Sequence, residues 1–77
     1  MVQAYILVQA DVGTASRVAR EVSALAGVTQ AEDVTGPYDV IVRAEAQDVD
    51  ALGRDVISPI QSIDGVTRTL TCPVVHL

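Results

Sequence analysis

The pattern of hydrophobic and polar positions divides the chain into two halves, each of which reads strand, helix, strand. Alternating apolar and polar side chains predict strands, and apolar residues three or four positions apart predict helices. The predicted strands cover residues 4–9, 28–34, 40–45 and 66–75. The order β-α-β-β-α-β is the ferredoxin-like pattern of the α+β class. We therefore expect a single domain over residues 1–77, with a four-stranded antiparallel sheet and two helices on one face.

Two helices are predicted between these strands. The first is expected to begin after Thr14, whose hydroxyl would cap it, and to end at Gly27. Its apolar stripe consists of Ala15, Val18, Ala19, Val22, Leu25 and Ala26. The second is expected to begin after its cap Asp48, and Pro59 should kink or end it near Ile57. Its predicted inward positions are Val49, Leu52, Val56 and Ile60.

Alternation along the strands assigns side chains to the two faces of the sheet. Since two helices cover only one face, the other face stays open. The predicted helix-side residues are Ile6, Val8, Ala10, Val40, Val42, Ala44, Val66, Leu70 and Cys72. The predicted open-face residues are Tyr5, Leu7, Gln9, Ile41, Arg43, Thr67, Thr69 and Thr71. Because the open face is half apolar and suited to packing sheet on sheet, we expect dimerisation through it.

The turn between the two halves is the first candidate site. Gly36 tolerates positive φ and Pro37 fixes its own φ, so the pair predicts a tight connection. Tyr38 and Asp39 lie where this turn becomes a strand, and loops on a rigid scaffold often carry ligand-binding groups. The Asp39 carboxylate can pair with a ligand ammonium group, and exposed turn N–H groups can receive a ligand carboxylate. The alternative is that Gly36 and Pro37 simply form a hairpin that Asp39 caps.

The last strand is the second candidate site. Thr67, Thr69 and Thr71 occupy alternate positions, and their hydroxyls can bond an ammonium or a carboxylate group. The alternative is that threonine is simply a good strand residue on a half-exposed face.

Size and charge limit the classes of function. A chain of 77 residues has a thin core, so a site shared between subunits is favoured over one enclosed in a monomer. The net charge is −5, with arginine but no lysine supplying the positive charges. Direct binding to nucleic acid or to an anionic membrane is therefore not expected.

Reactive residues are few and isolated. The single Cys72 excludes an internal disulfide, and no basic n-region of a signal peptide follows Met1, so a cytoplasmic location is expected. His76 is the only histidine and has no cysteine or carboxylate at ligand spacing, so we expect no metal site and no cofactor. No serine belongs to a nucleophile motif, so we expect no catalytic residue and no enzyme.

Four segments together resemble a known family. They are Ala4–Val8, the capped helix that ends at Gly27-Val28, the turn Thr35–Val40 and the segment Ile60–Thr69. Their order and spacing are similar to those of the effector-binding domain of the Lrp/AsnC family, also called the regulation-of-amino-acid-metabolism (RAM) domain. The resemblance covers essentially the whole chain.

The resemblance implies the same fold and a specific assembly. It implies dimers that form through the open sheet face, rings of such dimers as octamers or decamers, and amino-acid effectors in the clefts between dimers. It assigns ligand contacts to the turn residues Gly36, Tyr38 and Asp39 and to the hydroxyls of Thr67, Thr69 and Thr71.

One departure concerns DNA binding. Full-length family members carry an N-terminal helix-turn-helix, but here only two residues separate Met1 from the first predicted strand. We therefore expect a stand-alone effector domain, or the excised half of a regulator, that does not itself bind DNA. Such a domain would act by co-assembling with full-length paralogues or as a free amino-acid-responsive assembly.

Two other functions stay open. The first is a small dimeric ferredoxin-like enzyme of the monooxygenase or isomerase type, although such enzymes usually need a buried His, Trp or acid pair. The second is a purely structural assembly subunit with an empty cleft.

Overall fold

Four antiparallel strands form one sheet in the order β2-β3-β1-β4. A computed structural model describes residues 1–76, so residue 77 of the predicted domain lies outside the described part. The strands are β1 (Val2–Ala10), β2 (Val28–Asp33), β3 (Val40–Ala46) and β4 (Val66–Pro73). Helical segments follow β1 and β3, which confirms the predicted ferredoxin-like order.

The first helix, α1, spans Ala15–Ser23 and buries Val18, Ala19 and Val22. Thr14 occupies the N-cap position, but the predicted side-chain cap is wrong. Its backbone has helical angles, φ −107° and ψ −3°, instead of the extended angles typical of capping residues. Its hydroxyl therefore donates backwards to the carbonyl of Asp11, with 2.7 Å between the oxygens.

The second helical stretch has three parts: α2 (Val49–Leu52), a π-helical turn (Gly53–Ile57) and α3 (Ser58–Gln61). Asp48 caps it as predicted, because its Oδ1 accepts a hydrogen bond from the backbone N–H of Ala51 at 2.7 Å. Pro59 was predicted to kink or end the helix near Ile57; the α-helical pattern is interrupted up to Ile57, but the helix does not end there. Proline has no N–H to continue the α-helical pattern. The helix instead widens for one turn, in which the N–H of Ser58 bonds to the carbonyl of Gly53, and then continues to Gln61.

The buried residues of this helical stretch are four positions apart. Leu52, Val56 and Ile60 are buried as predicted. Val49 was also predicted to point inward, but its side chain is 68% exposed. Extending the four-residue spacing backwards from Leu52 leads to the cap Asp48, so Val49 lies off the buried stripe.

The core lies between the helices and one face of the sheet. β1 and β3 contribute Ala4, Ile6, Val8, Val40, Val42 and Ala44, which are buried as the alternation predicts. Ala10 and Val66 are partly buried and pack against this cluster.

A β-bulge in β4 changes the prediction for that strand. Ala10 pairs with Val66, but Gln9 pairs with Arg68, so Thr67 is an extra residue without a partner in the register. A bulge of this kind places two residues of one strand opposite one of the other. Side chains beyond the bulge therefore point to the opposite face from the one that simple alternation predicts.

Beyond the bulge, the side chains of β4 therefore lie on the faces opposite to those predicted. The residue pairs are Val8 with Thr69, Leu7 with Leu70, Ile6 with Thr71 and Tyr5 with Cys72. Since directly paired residues share a face, Thr69 and Thr71 lie on the helix side, whereas Leu70 and Cys72 lie on the open face. The predicted faces of these four residues were wrong.

Candidate functional site

One hydrogen bond closes the turn between β2 and β3, and two hydrogen bonds of Asp39 hold this turn at the end of β1. The N–H of Val34 donates to the carbonyl of Asp39 at 2.9 Å and closes the hairpin. The N–H of Asp39 donates to the carbonyl of Val8, also at 2.9 Å. The carboxylate oxygen Oδ2 of Asp39 accepts from the N–H of Ala10 at 2.8 Å. Gly36 has φ +151°, as predicted for this turn.

These contacts indicate a structural task for Asp39. Its carboxylate binds the backbone of the chain itself, at a partly buried position. Its backbone N–H and carbonyl are both used to hold the hairpin. Asp39 therefore fixes the turn, and the contact of its carboxylate with a ligand stays a prediction.

A concavity of about 370 Å³ lies where the turn meets the open face of the sheet. Its lining residues are Leu7, Val34, Thr35, Gly36, Pro37, Tyr38 and Ile41. Two predicted ligand-binding residues, Gly36 and Tyr38, thus share one surface with two predicted dimer-face residues, Leu7 and Ile41. The two predicted features are therefore one continuous region of the molecule.

Gln9 joins this turn to the beginning of β4. Its side-chain amide donates to the carbonyl of Pro37 at 3.0 Å, and its backbone carbonyl accepts from the hydroxyl of Thr67 at 3.2 Å. The turn and Thr67 consequently lie at the same end of the sheet. Sequence reasoning placed Gln9 on the open face without giving it a role. The feature that could have indicated a role is its polar side chain, since Gln9 follows Tyr5 and Leu7 at the next open-face position of β1.

Thr69 and Thr71 do not join the turn. Thr69 lines a separate concavity of about 220 Å³ with Gln61, Val66, Thr67 and Arg68. Its hydroxyl accepts a hydrogen bond from the side-chain amide of Gln61 at 3.0 Å, which ties it to α3. Thr71 lies on the same helix side of the sheet, opposite Ile6. Of the three threonines, Thr67 is connected to the turn by the two hydrogen bonds of Gln9, and it also lines the concavity of Thr69.

The predicted dimer-face residues are neighbours on the open face, as expected. Tyr5 pairs with Arg43, and Leu7 pairs with Ile41. Tyr5, Ile41 and Leu70 are 40%, 39% and 43% exposed, so this face leaves large apolar side chains in water. The Arg43 guanidinium lies 5.2 Å from the centroid of the Tyr5 ring and hydrogen-bonds to the Tyr5 hydroxyl and to Oε1 of Gln3.

Arg54 and Asp55 are exposed charged residues on the second helical stretch. Arg54 forms a surface ion pair with Asp55, and this hydrogen bond, together with the adjacent negative charge, raises the pKa of Arg54. The pair lines a third concavity beside Gly27 and Val56, away from the turn. Within residues 1–76, no three His, Cys, Asp or Glu side chains come close enough to hold a metal ion. No helix in the same residues is long and apolar enough to cross a membrane.

Two curated relatives are similar to this chain over parts of their length. The homocitrate synthase of Sulfurisphaera tokodaii is 37% identical over 54 residues, which cover 70% of this chain and 12% of that enzyme. The uncharacterized HTH-type transcriptional regulator PH1916 of Pyrococcus horikoshii is 31% identical over 71 residues, which cover 88% of this chain and 47% of that regulator. The chain thus spans less than half the length of either relative.

Solved structures share the fold over nearly the whole chain. TTHA0845 from Thermus thermophilus has a TM-score of 0.91 and 28% identity, covering 100% of this chain and 96% of that one. AsnC of E. coli has a TM-score of 0.88 and 26% identity, covering 99% and 52%. The transcriptional regulator NMB0573 of Neisseria meningitidis, in complex with L-Met, has a TM-score of 0.83 and 25% identity, covering 97% and 50%.

A family model agrees with the fold and with the predicted resemblance. The model of the Lrp/AsnC ligand binding domain matches residues 3–76. This range includes nearly all of the four strands, the turn and both concavities described for β4 and the open face. The chain therefore belongs to the Lrp/AsnC ligand-binding domain family of regulatory domains.

Proposed function

We propose that this domain senses an amino acid and serves the transcriptional regulation of amino-acid metabolism. The effector binds in the concavity between the Gly36–Tyr38 turn and the open sheet face. The observation that carries this proposal is the concavity itself, because it combines a loop held by Asp39 with apolar side chains of two central strands. A ligand-binding loop on a rigid scaffold has this arrangement.

A solved relative supports the choice of ligand. The similar regulator NMB0573 was solved as a complex with L-Met, so an amino acid occupies at least one protein of this fold. In the present chain, Thr35 and Tyr38 supply hydroxyl groups to the lining of the concavity. We assign the amino and carboxylate groups of the effector to these hydroxyls and to the exposed backbone groups of the turn.

Thermal unfolding in the presence of each of the twenty amino acids tests the proposal. A ligand present at 100 times its Kd should stabilise the folded domain by about 2.7 kcal/mol. Replacing Tyr38 by Ala should abolish the shift, because it removes a wall of the concavity. Val12→Ala is the matched control, since Val12 is fully exposed and does not line the concavity. Absence of a shift with all twenty amino acids would contradict the proposal.

We also propose that a second copy covers the open face. Tyr5, Leu7, Ile41 and Arg43 form its centre, and the exposed Leu70 extends it. Because the concavity continues onto this face, the partner would complete one side of the cleft. Further association of dimers into octameric or decameric rings would enclose the effector. Light scattering with and without the bound amino acid measures the assembly size.

The cellular partners follow from this function. We propose a cytoplasmic domain that acts by co-assembling with full-length, DNA-binding members of the family, without direct contact to nucleic acid. The net charge of −5 supports the last point, since phosphate contacts need clustered positive charge. Co-expression with such a regulator should yield a mixed assembly, whose mass identifies both chains. Purification without any helix-turn-helix partner would count against co-assembly.

A second candidate function is ligand-dependent control of a biosynthetic enzyme. It is supported by the likeness to a part of homocitrate synthase that covers 12% of that protein. In this version the domain still binds the effector and is not itself the catalyst. The two candidates differ in the partner, so a mixed assembly that contains an enzyme instead of a DNA-binding regulator would favour the second.

A further inference from the structure

We infer that Glu32 and Arg68 determine which chain this domain accepts as a partner on its open face. Glu32 of each subunit pairs with the partner's Arg68, so that two ion pairs border the dimer contact. This inference rests on the proposed dimer, and it adds the orientation of the second copy and the residues that select it.

Opposite charges lie on the two outer strands of the open face. One row of paired residues crosses the sheet from Glu32 on β2 through Ile41 and Leu7 to Leu70 on β4. Arg68 lies two positions before Leu70 on the same strand and therefore shares its face. A negative charge thus lies at the β2 edge of the face, and a positive charge lies at the β4 edge.

These two charges do not neutralise each other within one subunit. Glu32 and Arg68 are separated by three strand spacings of about 4.8 Å, so their backbones are about 14 Å or more apart. Both residues are exposed. The two ion pairs found among residues 1–76 lie on the helical segments, away from these edges. Glu32 accepts a hydrogen bond from the neutral amide of Gln30 at 2.7 Å, which leaves its charge uncompensated.

The charge balance of the open face favours a second copy of the same chain. The register assigns the carboxylates of Glu32 and Glu45 and the guanidinium groups of Arg43 and Arg68 to this face. These four charges cancel, so the net charge of −5 belongs to the rest of the chain. Contact between two open faces therefore does not bring the excess negative charge of the two chains together.

Two-fold symmetry relates these edge charges to one orientation of the partner. In a two-fold contact each residue pair occurs twice, with the two chains exchanged. Aligned sheets can meet with β2 over the partner's β4 or with β2 over the partner's β2. The first orientation brings Glu32 towards the partner's Arg68 at both edges. The second brings the two Glu32 carboxylates together, so electrostatic complementarity favours the first.

The edge pairs contribute mainly to the choice of partner. Exposed ion pairs add little affinity, whereas like charges placed opposite each other exclude a wrong partner. A similar domain with an apolar open face but a negative charge at its β4 edge would therefore be rejected. Glu32 and Arg68 thus decide whether the domain joins a second copy of itself or a paralogue.

Charge exchange in the full chain tests the pairing. Glu32→Arg and Arg68→Glu each create two like-charge contacts, so each should raise the dimer dissociation constant about 10- to 100-fold at low salt. The double variant restores opposite charges and should return the constant to within about 3-fold of the unmodified chain. A mixture of the two single variants should form mixed dimers, because both contacts then join opposite charges. Sedimentation equilibrium measures the constants, and native mass spectrometry identifies the mixed dimers.

Arg20→Glu is the matched control. Arg20 is exposed on α1, which lies on the helix side of the sheet, and this substitution changes the net charge as Arg68→Glu does. Its dissociation constant should equal that of the unmodified chain. The effects of the two edge substitutions should shrink in 1 M salt, where the screening length is about 3 Å.

The outcomes separate this inference from the proposed function. If Leu70→Asp dissociates the dimer but Glu32→Arg does not weaken it, the open-face dimer stands and the orientation is overturned. If both single variants weaken the dimer and the double variant is not restored, the pairing is overturned. If no open-face variant changes association, Leu70→Asp included, the proposed dimer and this inference both fail. Amino-acid sensing is measured separately by the thermal shifts and does not depend on these results.

Discussion

The carboxylate of Asp39 accepts a hydrogen bond from the backbone N–H of Ala10, with 2.8 Å between Oδ2 and N. The bond joins the start of β3 to the end of β1, just beyond the last paired residues Val8 and Val40. This side-chain contact therefore joins β1 and β3 beyond the last residue pair of their backbone ladder. The turn that carries Gly36 and Tyr38 depends on this connection for its position.

Replacing Asp39 by Ala should lower the free energy of unfolding by about 1–3 kcal/mol. The reason is that the N–H of Ala10 loses a charged acceptor at a partly buried position. Asp39→Asn keeps an oxygen acceptor without the charge and should cost less than Asp39→Ala. Urea denaturation of both variants measures the difference.

Asp64→Ala is the control for this prediction. Asp64 is exposed, and its contact to Arg17 uses the backbone carbonyl, which the substitution retains. Its stability should match that of the unmodified chain within about 0.5 kcal/mol. Equal stability of Asp39→Ala and Asp64→Ala would mean that the bond to Ala10 does not hold the turn.

The helical stretch after β3 provides a matched pair of valines. Val56 is fully buried in the π-helical turn, whereas Val49 is 68% exposed at the first position of α2. Val56→Ala should cost about 2 kcal/mol of stability, because it removes buried methyl groups and leaves a cavity. Val49→Ala should change stability by less than about 0.5 kcal/mol. Similar losses at both positions, measured by urea denaturation, would show that the four-residue spacing does not define the buried face.

Leu70 tests both the proposed dimer and the bulge in β4. The bulge places Leu70 opposite Leu7 on the open face, so Leu70→Asp puts a charge into the proposed dimer contact. An unpaired charge in an apolar contact is costly, so the dimer should dissociate. Sedimentation equilibrium measures the mass.

Val12→Asp is the control, because it adds the same charge at a fully exposed residue after β1. This variant should keep the mass of the unmodified assembly. A dimer that survives Leu70→Asp would argue that the partner binds another surface of the domain.

Arg43 and Tyr5 should show measurable coupling. The guanidinium lies 5.2 Å from the ring centroid and also bonds to the phenol hydroxyl. A double-mutant cycle with Tyr5→Leu and Arg43→Gln should give a coupling free energy of about 0.5–1 kcal/mol. The denaturation is measured in variants that also carry Leu70→Asp, so that dissociation of the proposed dimer does not contribute to the measured free energy of unfolding. Additive losses would show that the two side chains are neighbours without a favourable interaction.

Several features of the fold could be predicted because they depend on local periodicity. The alternation of Val40, Val42 and Ala44 correctly identified the buried face of β3, and with it the open position of Ile41 and Arg43. The Asp48 cap was also predictable, since a capping carboxylate and the N–H that it accepts from are only three residues apart. In both cases the physical cause lies within a few consecutive residues.

The errors arose where a distant segment decides the local geometry. Simple alternation assigned the wrong face to Leu70, because the bulge at Thr67 is set by the pairing of β4 with β1. Likewise, Pro59 did not end its helix, because a π-helical turn accommodates the missing N–H while Val56 and Ile60 stay buried in the core.

The sequence by itself determined the order of the elements, the buried faces of β1 and β3, the turn at Gly36 and the resemblance to the family. Only the tertiary structure decided which candidate site residues meet. It placed Thr67 near the turn through Gln9, directed Thr69 and Thr71 to the helix side, and bound the Asp39 carboxylate to Ala10. The physical reason is that these relationships join residues about 30 to 60 positions apart, whose contacts follow from strand register and not from the local pattern of side chains.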